Sequence, residues 1–463
     1  MEGRTIEVSE ILDTPRVSRV AVRVTLLCFL IMIADSYDVS ALSFAVPDLI
    51  RQWHVDKIAT GTVFSASLFG LMIGSVLFGF IGDRWGRRTA IIAGSVVFGV
   101  LTLATGLATS LNEMLLLRFL ACLGLGGAVP NAVALTNEYS LKQARVTSIA
   151  VIFAGYALGG TLGGLISAQL IPIYGWPVIF YLGGAVSLAL ALALVIWLPE
   201  SIGYLALKPD GAAKAIKLAA WVRPDLNLSG VTRLSVRVEH NQSQFLLKRL
   251  FDGQRAVMTP LLWIVYVANS VTLFALVSWL PVLVESAGMT RGVAAIALSL
   301  FFLGGAAGGL AVGRLIDRSG MLALVASALI ACPIVASLGM MGNSWWMLLA
   351  AATAAGFFTI GVQNSLHGIA GKIYPTSIRS NGMGWALGVG KIGSIIGPFI
   401  GGVLLAWALP VQQLFWAAAV PLAVVAAAAF FLMRLYDINV HDETADTGPA
   451  LEKASNMGVT SAL

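Results

Sequence analysis

Long apolar runs, interrupted only by short polar breaks, recur along the chain from residue 24 to residue 433. The breaks coincide with charges, prolines and turn residues. Most runs reach the roughly 20 residues that a helix needs to cross about 30 Å of hydrocarbon. They predict spans near 24–46, 59–81, 89–109, 112–136, 146–170 and 176–198, then near 257–284, 292–313, 321–341, 345–370, 381–407 and 410–434. Between the two sets of six, residues 199–256 are polar and predict a solvated central loop. The expected plan is a tail over 1–23, a six-helix bundle over 24–198, the loop, a second bundle over 257–434 and a tail over 435–463. The first run is full length and lacks a small-residue cleavage pattern, so it reads as an uncleaved first helix.

Composition agrees with this pattern and excludes an ordinary soluble protein. Of the 463 residues, 58% are hydrophobic and 11% charged, where a soluble domain is about a quarter charged. The net charge of +6 then reports orientation rather than nucleic-acid binding. An even number of spans puts both termini and the central loop on one side, and the loops of that side hold 24 of the 29 Lys and Arg. Arg51, Lys57 and Arg291 lie on the other, while Arg118 and Lys391 fall inside spans. By the positive-inside rule the termini and central loop are expected to be cytoplasmic. Cys28, Cys122 and Cys332 sit singly in apolar segments and read as core residues without a disulfide or metal framework.

The two sets of six spans are related. Gly79-x-x-x-Asp83-Arg84-x-Gly86 follows the second span, and Gly313-x-x-x-Asp317-Arg318-x-Gly320 follows the eighth, 234 residues later. Tyr156-Ala157-Leu158-Gly159 in span five is echoed by Trp385-Ala386-Leu387-Gly388 in span eleven. A duplicated six-helix unit implies two halves with a pocket between them. In the loop around residues 79–88, the glycines are expected to let helices approach closely. Asp83 is expected to pair with Arg or a helix N-terminus as a conformational latch, with Arg84, Arg87 and Arg88 at the membrane surface. Gly155-x-x-x-Gly159, Gly160-x-x-x-Gly164, Gly309-x-x-x-Gly313 and Gly393-x-x-x-Gly397 read as small-residue seams.

Charges inside spans are few and costly, each about 2.5–3.5 kcal/mol at the bilayer centre unless it faces a cavity or partner. Asp35 and Asp38 are three residues apart and so share a helix face, Arg118 lies in span four, and Lys391 in span eleven. Two acids on one face repel when both are ionised, which makes the pair a candidate proton site, while inert pairing with the bases is the alternative. Lys391 is the candidate counter-ion for an organic carboxylate. His367, in the polar patch with Gln363 and Asn364, could shift a proton or hydrogen-bond a ligand, a satisfied packing histidine being the alternative, and Tyr37 and Trp385 are further candidates for contact with the ligand. Gly388-x-Gly390-x-x-Gly393 matches a dinucleotide fingerprint only formally, because no strand precedes it. No GxxxxGK[ST] loop or catalytic constellation occurs, so no cofactor is expected and a proton gradient is the expected energy source.

The GxxxDRxG loops, with LPES at 198–201, resemble the signatures of the major facilitator superfamily over nearly the whole chain. Asp35-Ser36-Tyr37-Asp38 followed by LSFAVP resembles the first-helix acid motif of the aromatic acid:proton symporter family. Residues 118–139, with Arg118, Asn131 and Glu138, are similar to its fourth helix. Tyr374-Pro375-Thr376 through Arg379 and the segment 388–398 resemble its tenth loop and eleventh helix. Ser36 stands where that family usually has Gly, and Lys391 where it more often has Arg, a point charge in place of a bidentate fork.

The resemblance implies an all-α membrane protein, twelve transmembrane helices in two pseudo-symmetric six-helix bundles. It also implies alternating access in the cytoplasmic (inner) membrane of a bacterium, as a monomer taking up an aromatic carboxylate with protons. Asp35, Asp38 and Arg118 would couple protons; Lys391, Tyr37, His367, Gln363, Asn364 and Trp385 would meet substrate. Gly79, Asp83, Arg84, Gly86, Arg87, Arg88, Glu138, Gly313, Asp317, Arg318 and Arg379 would gate. A carrier of an aliphatic acid or dicarboxylate on the same proton site, and a transporter-like receptor, are the alternative readings.

Overall fold

The computed structural model describes residues 4–12, 18–141, 144–208, 210–224, 226, 231–235, 247–341, 344–375 and 378–456. Twelve of its helices are long and apolar enough to cross a membrane. They are α1 (Arg19–Trp53), α2 (Lys57–Trp85), α3 (Arg87–Thr105), α4 (Leu111–Tyr139), α5 (Arg145–Tyr174) and α6 (Pro177–Trp197) in the first half. The second half holds α7 (Arg255–Ser286), α8 (Arg291–Ser319), α9 (Met321–Ser337), α10 (Trp345–Ile373), α11 (Arg379–Ala406) and α12 (Val411–Asn456). Each bundle closes on itself through the same pairings, α1 with α5 and α2 with α4 in the first, α7 with α11 and α8 with α10 in the second. This is the architecture of the major facilitator fold.

Local chemistry sets the helix ends. The Ser18 hydroxyl accepts from the Ala21 N–H at 3.0 Å and starts α1, and His54 in a left-handed conformation stops it. Within α4 the helix breaks at Gly127, three residues before Pro130, whose ring lacks an N–H. The Asn131 amide bridges the break by donating to the Gly127 carbonyl at 2.8 Å and to the Phe78 carbonyl of α2 at 3.1 Å.

The ends of the plan differ from expectation. α1 begins at Arg19 rather than near 24, and α12 continues to Asn456 instead of ending near 434. The tail and central segment are not merely a solvated tail and loop. Arg4–Glu7 forms strand β1, paired in parallel with β2 (Val231–Ser235), and short helices cover Ile202–Leu207 and Ala212–Val222. Ile6, Ile11, Ala215, Ala219 and Leu234 are buried in one cluster with Val20, Val24 and Leu27 of α1, because apolar positions in these polar segments find a shared core against the first bundle. Residues 1–3, 13–17, 236–246 and 457–463, with Thr376 of the tenth loop, lie outside the described residues.

The bundles meet along two main seams, α5 with α8 and α2 with α11, and more briefly where α1 meets α7. At one, Thr161 and Ser299 exchange hydrogen bonds between α5 and α8, at 3.2 and 3.0 Å. At the other, the Ser65 hydroxyl of α2 donates to the Ile395 carbonyl of α11 at 2.7 Å and Lys57 to the Leu405 carbonyl at 3.3 Å. All of these lie between mid-depth and the face opposite the central segment. Toward the face of the central segment, no hydrogen bond or ion pair joins the bundles among the described residues. The polar contacts between the bundles among the described residues thus gather from mid-depth toward the face opposite the central segment.

Candidate functional site

Helix α1 carries Asp35 and Asp38 into the middle of the first bundle, where both are buried, at 4% and 1% exposure. Their surroundings differ. Arg118 of α4 reaches Asp38 with both terminal nitrogens, donating to Oδ1 at 2.8 Å and Oδ2 at 2.5 Å. This bidentate pair is sealed under Phe180, whose ring lies 5.7 Å from the guanidinium, and Arg118 also reaches the Cys122 sulfur at 3.5 Å. Asp35 Oδ1, one turn away, has no hydrogen-bond partner. Asp35 lies within electrostatic range of Asp38, of Lys391 across the bundle interface, and of Tyr156 of α5. A single helix face thus bears one carboxylate neutralised inside its own bundle and one turned toward the interface.

Lys391 of α11 spans the interface itself. Its ammonium donates to the Ser75 hydroxyl of α2 at 3.1 Å, without a salt bridge to either helix-one acid. With Arg118 sealed against Asp38, Lys391 is the one cation at the middle of the interface among the described residues. At the α5–α8 seam Tyr156 packs edge-on against Phe302 of α8 at 6.2 Å, joining the bundles with aromatic surface.

The second bundle contributes a polar wall. Gln363 of α10 accepts from the Asn269 amide of α7 at 2.7 Å, and His367, one turn on, shares a 3.1 Å hydrogen bond with the Tyr266 hydroxyl. Asn364 is exposed and leans over Gly309 of α8. Trp385 stacks on Trp263 of α7 at 6.3 Å, so one of its faces is occupied by its own bundle. Tyr37 departs from its expected contact with substrate. Its hydroxyl donates to the Ile179 carbonyl at 3.0 Å and its ring lies against Gly183 of α6, because two residues beyond Asp35 the α1 surface has turned into the bundle core.

At the face opposite the central segment, four charges from both halves interlock. Arg291 of α8 donates to both oxygens of Asp48, at 3.0 and 2.7 Å, and approaches Glu285 of α7 at 3.6 Å. Arg51 of α1 in turn meets Asp48 at 3.1 Å and Glu285 at 3.4 Å. Each arginine therefore touches an acid from each bundle.

The family model described as Major Facilitator Superfamily matches residues 28–339 and again 262–455. The chain belongs to the major facilitator superfamily. It is a membrane transporter and not an enzyme. The chain is 33% identical over 422 residues to the 4-hydroxybenzoate transporter PcaK of Pseudomonas putida, covering 91% of this chain and 94% of the relative. It is 34% identical over 412 residues to a gallate transporter of the same organism, at 89% and 91% coverage. To the benzoate transport protein of Acinetobacter baylyi it is 32% identical over 446 residues, covering 93% of both chains. Its fold matches a bacterial homolog of the human lysosomal transporter Spinster with a TM-score of 0.72, at 17% identity and covering 90% and 98% of the two chains. It matches the nucleoside transporter NupG with a TM-score of 0.68, at 14% identity and 90% and 100% coverage.

The signature loop of this superfamily member is tied down inside the first bundle. Arg87 pairs with Glu138 at 3.2 Å, Glu138 also accepts from the Gly203 N–H at 2.8 Å, and Glu200 accepts from the N–H groups of Arg88 and Ser201 at 3.1 and 2.9 Å. Burial pushes the Glu200 carboxyl above its ordinary range, against these N–H groups and the Arg88 charge, which favour its ionised form. Gly86 at φ +101° occupies backbone space that a side chain would share with Glu200. The expected close approach at Gly79 and Gly313 is not made: nothing lies within 4 Å of a Cβ placed at Gly79, and only the Ser365 hydroxyl, at 4.0 Å, at Gly313. The close contact falls instead at Gly82, under Asn131, since that face of α2 meets α4. Asp83 and Arg84 are exposed, and Asp83 has no ion pair among the described residues, so the loop makes no latch in this state. In the second copy Asp317 lies 4.0 Å from Lys372 of α10, Arg318 is exposed, and Arg379 donates to the Tyr374 carbonyl at 3.4 Å.

Sequence reasoning missed Ser75, Tyr266, Asn269, Asp48 and Glu285. The first three are ordinary polar residues in apolar spans. The two acids sit at span ends, where charges normally face water, and only their opposition across the halves gives them a role.

Proposed function

We propose that the protein takes up an aromatic carboxylate together with a proton, by alternating access across the cytoplasmic (inner) membrane of a bacterium, with its termini and central segment in the cytoplasm and working as a monomer. The curated relatives that cover nearly all of the chain carry 4-hydroxybenzoate, gallate and benzoate, which supports the substrate class. One observation carries the coupling: Arg118 neutralises Asp38 and leaves Asp35 without a donor on a buried oxygen, in range of Lys391. In this cycle Asp38 stays ionised, Asp35 takes a proton from outside, and Lys391 turns from Ser75 and its view of Asp35 to the incoming carboxylate. Protonation removes the charge that otherwise attracts Lys391 from a distance, so anion and proton each make room for the other. Anion without proton leaves unbalanced charge in an occluded, low-dielectric space and disfavours closure.

One monoanion with one proton moves no net charge, so uptake follows the pH gradient and is indifferent to voltage. A second proton would add about 2.3 kcal/mol of drive per 100 mV. The test is uptake of labelled benzoate and 4-hydroxybenzoate into vesicles under an imposed pH gradient, with and without a potassium-diffusion potential. Asp35→Asn is expected to abolish gradient-driven accumulation while retaining exchange of internal for external substrate, and Lys391→Ala to lose both. Full accumulation by Asp35→Asn removes this residue from the proton path.

A further inference from the structure

Helix α10 shows a particular side to the opposing bundle. It meets α8 through Ile360, Gly361 and Asn364, and α7 through Gln363 and His367, while Val362, Leu366 and Ile369 pack in the core shared with α9. The sector between the α7 and α8 contacts, away from α9, is therefore the side toward the bundle interface, and His367 and Gln363 stand in it one turn apart.

Both side chains are fixed from behind. Asn269 is fully buried and donates to Gln363 Oε1, to which the Ser270 hydroxyl also points at 3.4 Å. With its oxygen engaged twice, Gln363 has its two Nε2 hydrogens left to offer. Tyr266 is also fully buried, and its hydroxyl meets His367 Nδ1 and no other acceptor among the described residues. A buried hydroxyl must donate somewhere, so it donates to Nδ1, which places the ring proton on Nε2. Two rungs result, each a buried residue of α7 orienting a donor on α10. Asn269 Oδ1 is a buried acceptor with no partner at the same place.

The rungs lie at the depth of Lys391. Tyr266 touches Gly390, the residue before it, with a contact of 3.2 Å to a Cβ placed there, and Ser270 packs similarly against Gly393 at 3.0 Å. For a planar acid whose carboxylate meets Lys391, the two rungs are the oriented donors of the second bundle at the same depth. The groups waiting there are neutral donors. A second carboxylate would find no further cation, whereas a phenolic oxygen accepts from N–H groups and donates its own proton in turn.

Resting on the aromatic-acid reading above, we propose that Gln363 and His367 recognise a ring hydroxyl of the substrate, with Asn269 and Tyr266 as the positioning residues that aim them. The protein accordingly prefers hydroxylated over unsubstituted aromatic monocarboxylates.

The test is equilibrium binding of labelled 4-hydroxybenzoate, 3-hydroxybenzoate and benzoate to the purified full-length protein in lipid nanodiscs, with Gln363→Leu, His367→Phe, His367→Gln and Tyr266→Phe as variants. Wild type is expected to bind at least one hydroxylated acid tenfold or more tighter than benzoate. His367→Phe and Gln363→Leu should each shrink that ratio by fivefold or more. His367→Gln, whose amide still presents a donor, should restore part of it, and Tyr266→Phe, which leaves the imidazole proton free to move, should lower it partially. Equal affinities in wild type, or variants that weaken all three acids together with the ratio kept, would overturn the hydroxyl assignment and leave the aromatic-acid reading standing. Wild type that binds none of the three overturns both.

Discussion

A carboxylate inside a membrane protein must be paired, solvated or protonated, and Asp35 and Asp38 take different courses although three residues apart. The Asp38–Arg118 pair is almost wholly buried, so removing one partner strands the other. Arg118→Leu is expected to destabilise the protein by about 3–5 kcal/mol, and Asp38→Asn with Arg118→Leu to recover most of that loss, measured by thermal unfolding in detergent. A double variant no more stable than Arg118→Leu alone would show that the arginine acts through other contacts. The sequence pointed to Asp35, Asp38, Arg118 and Lys391, the charges inside spans, from their cost alone. Which acid would pair was not legible, because both lie on one face and only the position of α4 beside Asp38 breaks the tie. Tyr37 was misread for the same reason, since a helix turns through about 100° per residue and small offsets decide between interface and core.

At the scale of elements, glycines and loop charges sort by what actually stands opposite them. Gly79→Ala is expected to leave the melting temperature within a degree or two or raise it, because the site is open and alanine favours helix. Gly82→Ala is expected to lower it measurably, since the new methyl meets the Asn131 amide that bridges α4 to α2. The sequence does not foretell this difference, since Gly79 is a fixed position of the repeated motif and Gly82 only a variable one. Glu200 gives a pH signature. A carboxyl raised above its ordinary value in the folded state contributes most below that value and loses its contribution as pH rises through the folded one. Glu200→Gln keeps an acceptor for the Arg88 N–H without this titration. Its stability relative to wild type should therefore increase with pH above the ordinary carboxylate range, as read from unfolding at a series of pH values. A constant difference would show that Glu200 does not titrate there.

For the whole molecule, the two seams and the interlocked charges at one face set which state is populated. Asp48 accepts from Arg291 across the halves and from Arg51 within its own, so Asp48→Asn removes the hub of the network. The expected result is a shift of about tenfold, equivalent to about 1.4 kcal/mol, toward opening at that face. It can be read as increased distance between spin labels on the ends of α1 and α7. Reversing the pair with Asp48→Arg and Arg291→Asp should return part of the closure, and an unchanged distance distribution in Asp48→Asn would show that the seams alone hold it shut.

The sequence by itself determined the solvent, the number of spans, the duplication and the short roll of buried charges. Each follows from a local quantity: apolar run length against bilayer thickness, a repeated motif, the cost of a charge in hydrocarbon. It could not decide partnership. That Asp38 rather than Asp35 holds Arg118, that Lys391 reaches Ser75, that Tyr266 and Asn269 stand behind His367 and Gln363, and that Asp48 faces Arg291 are facts about how helices distant in the chain lean on one another. Hydrogen bonds and ion pairs depend on ångströms and angles between helices, and those are set by packing across the two bundles, which no single span encodes.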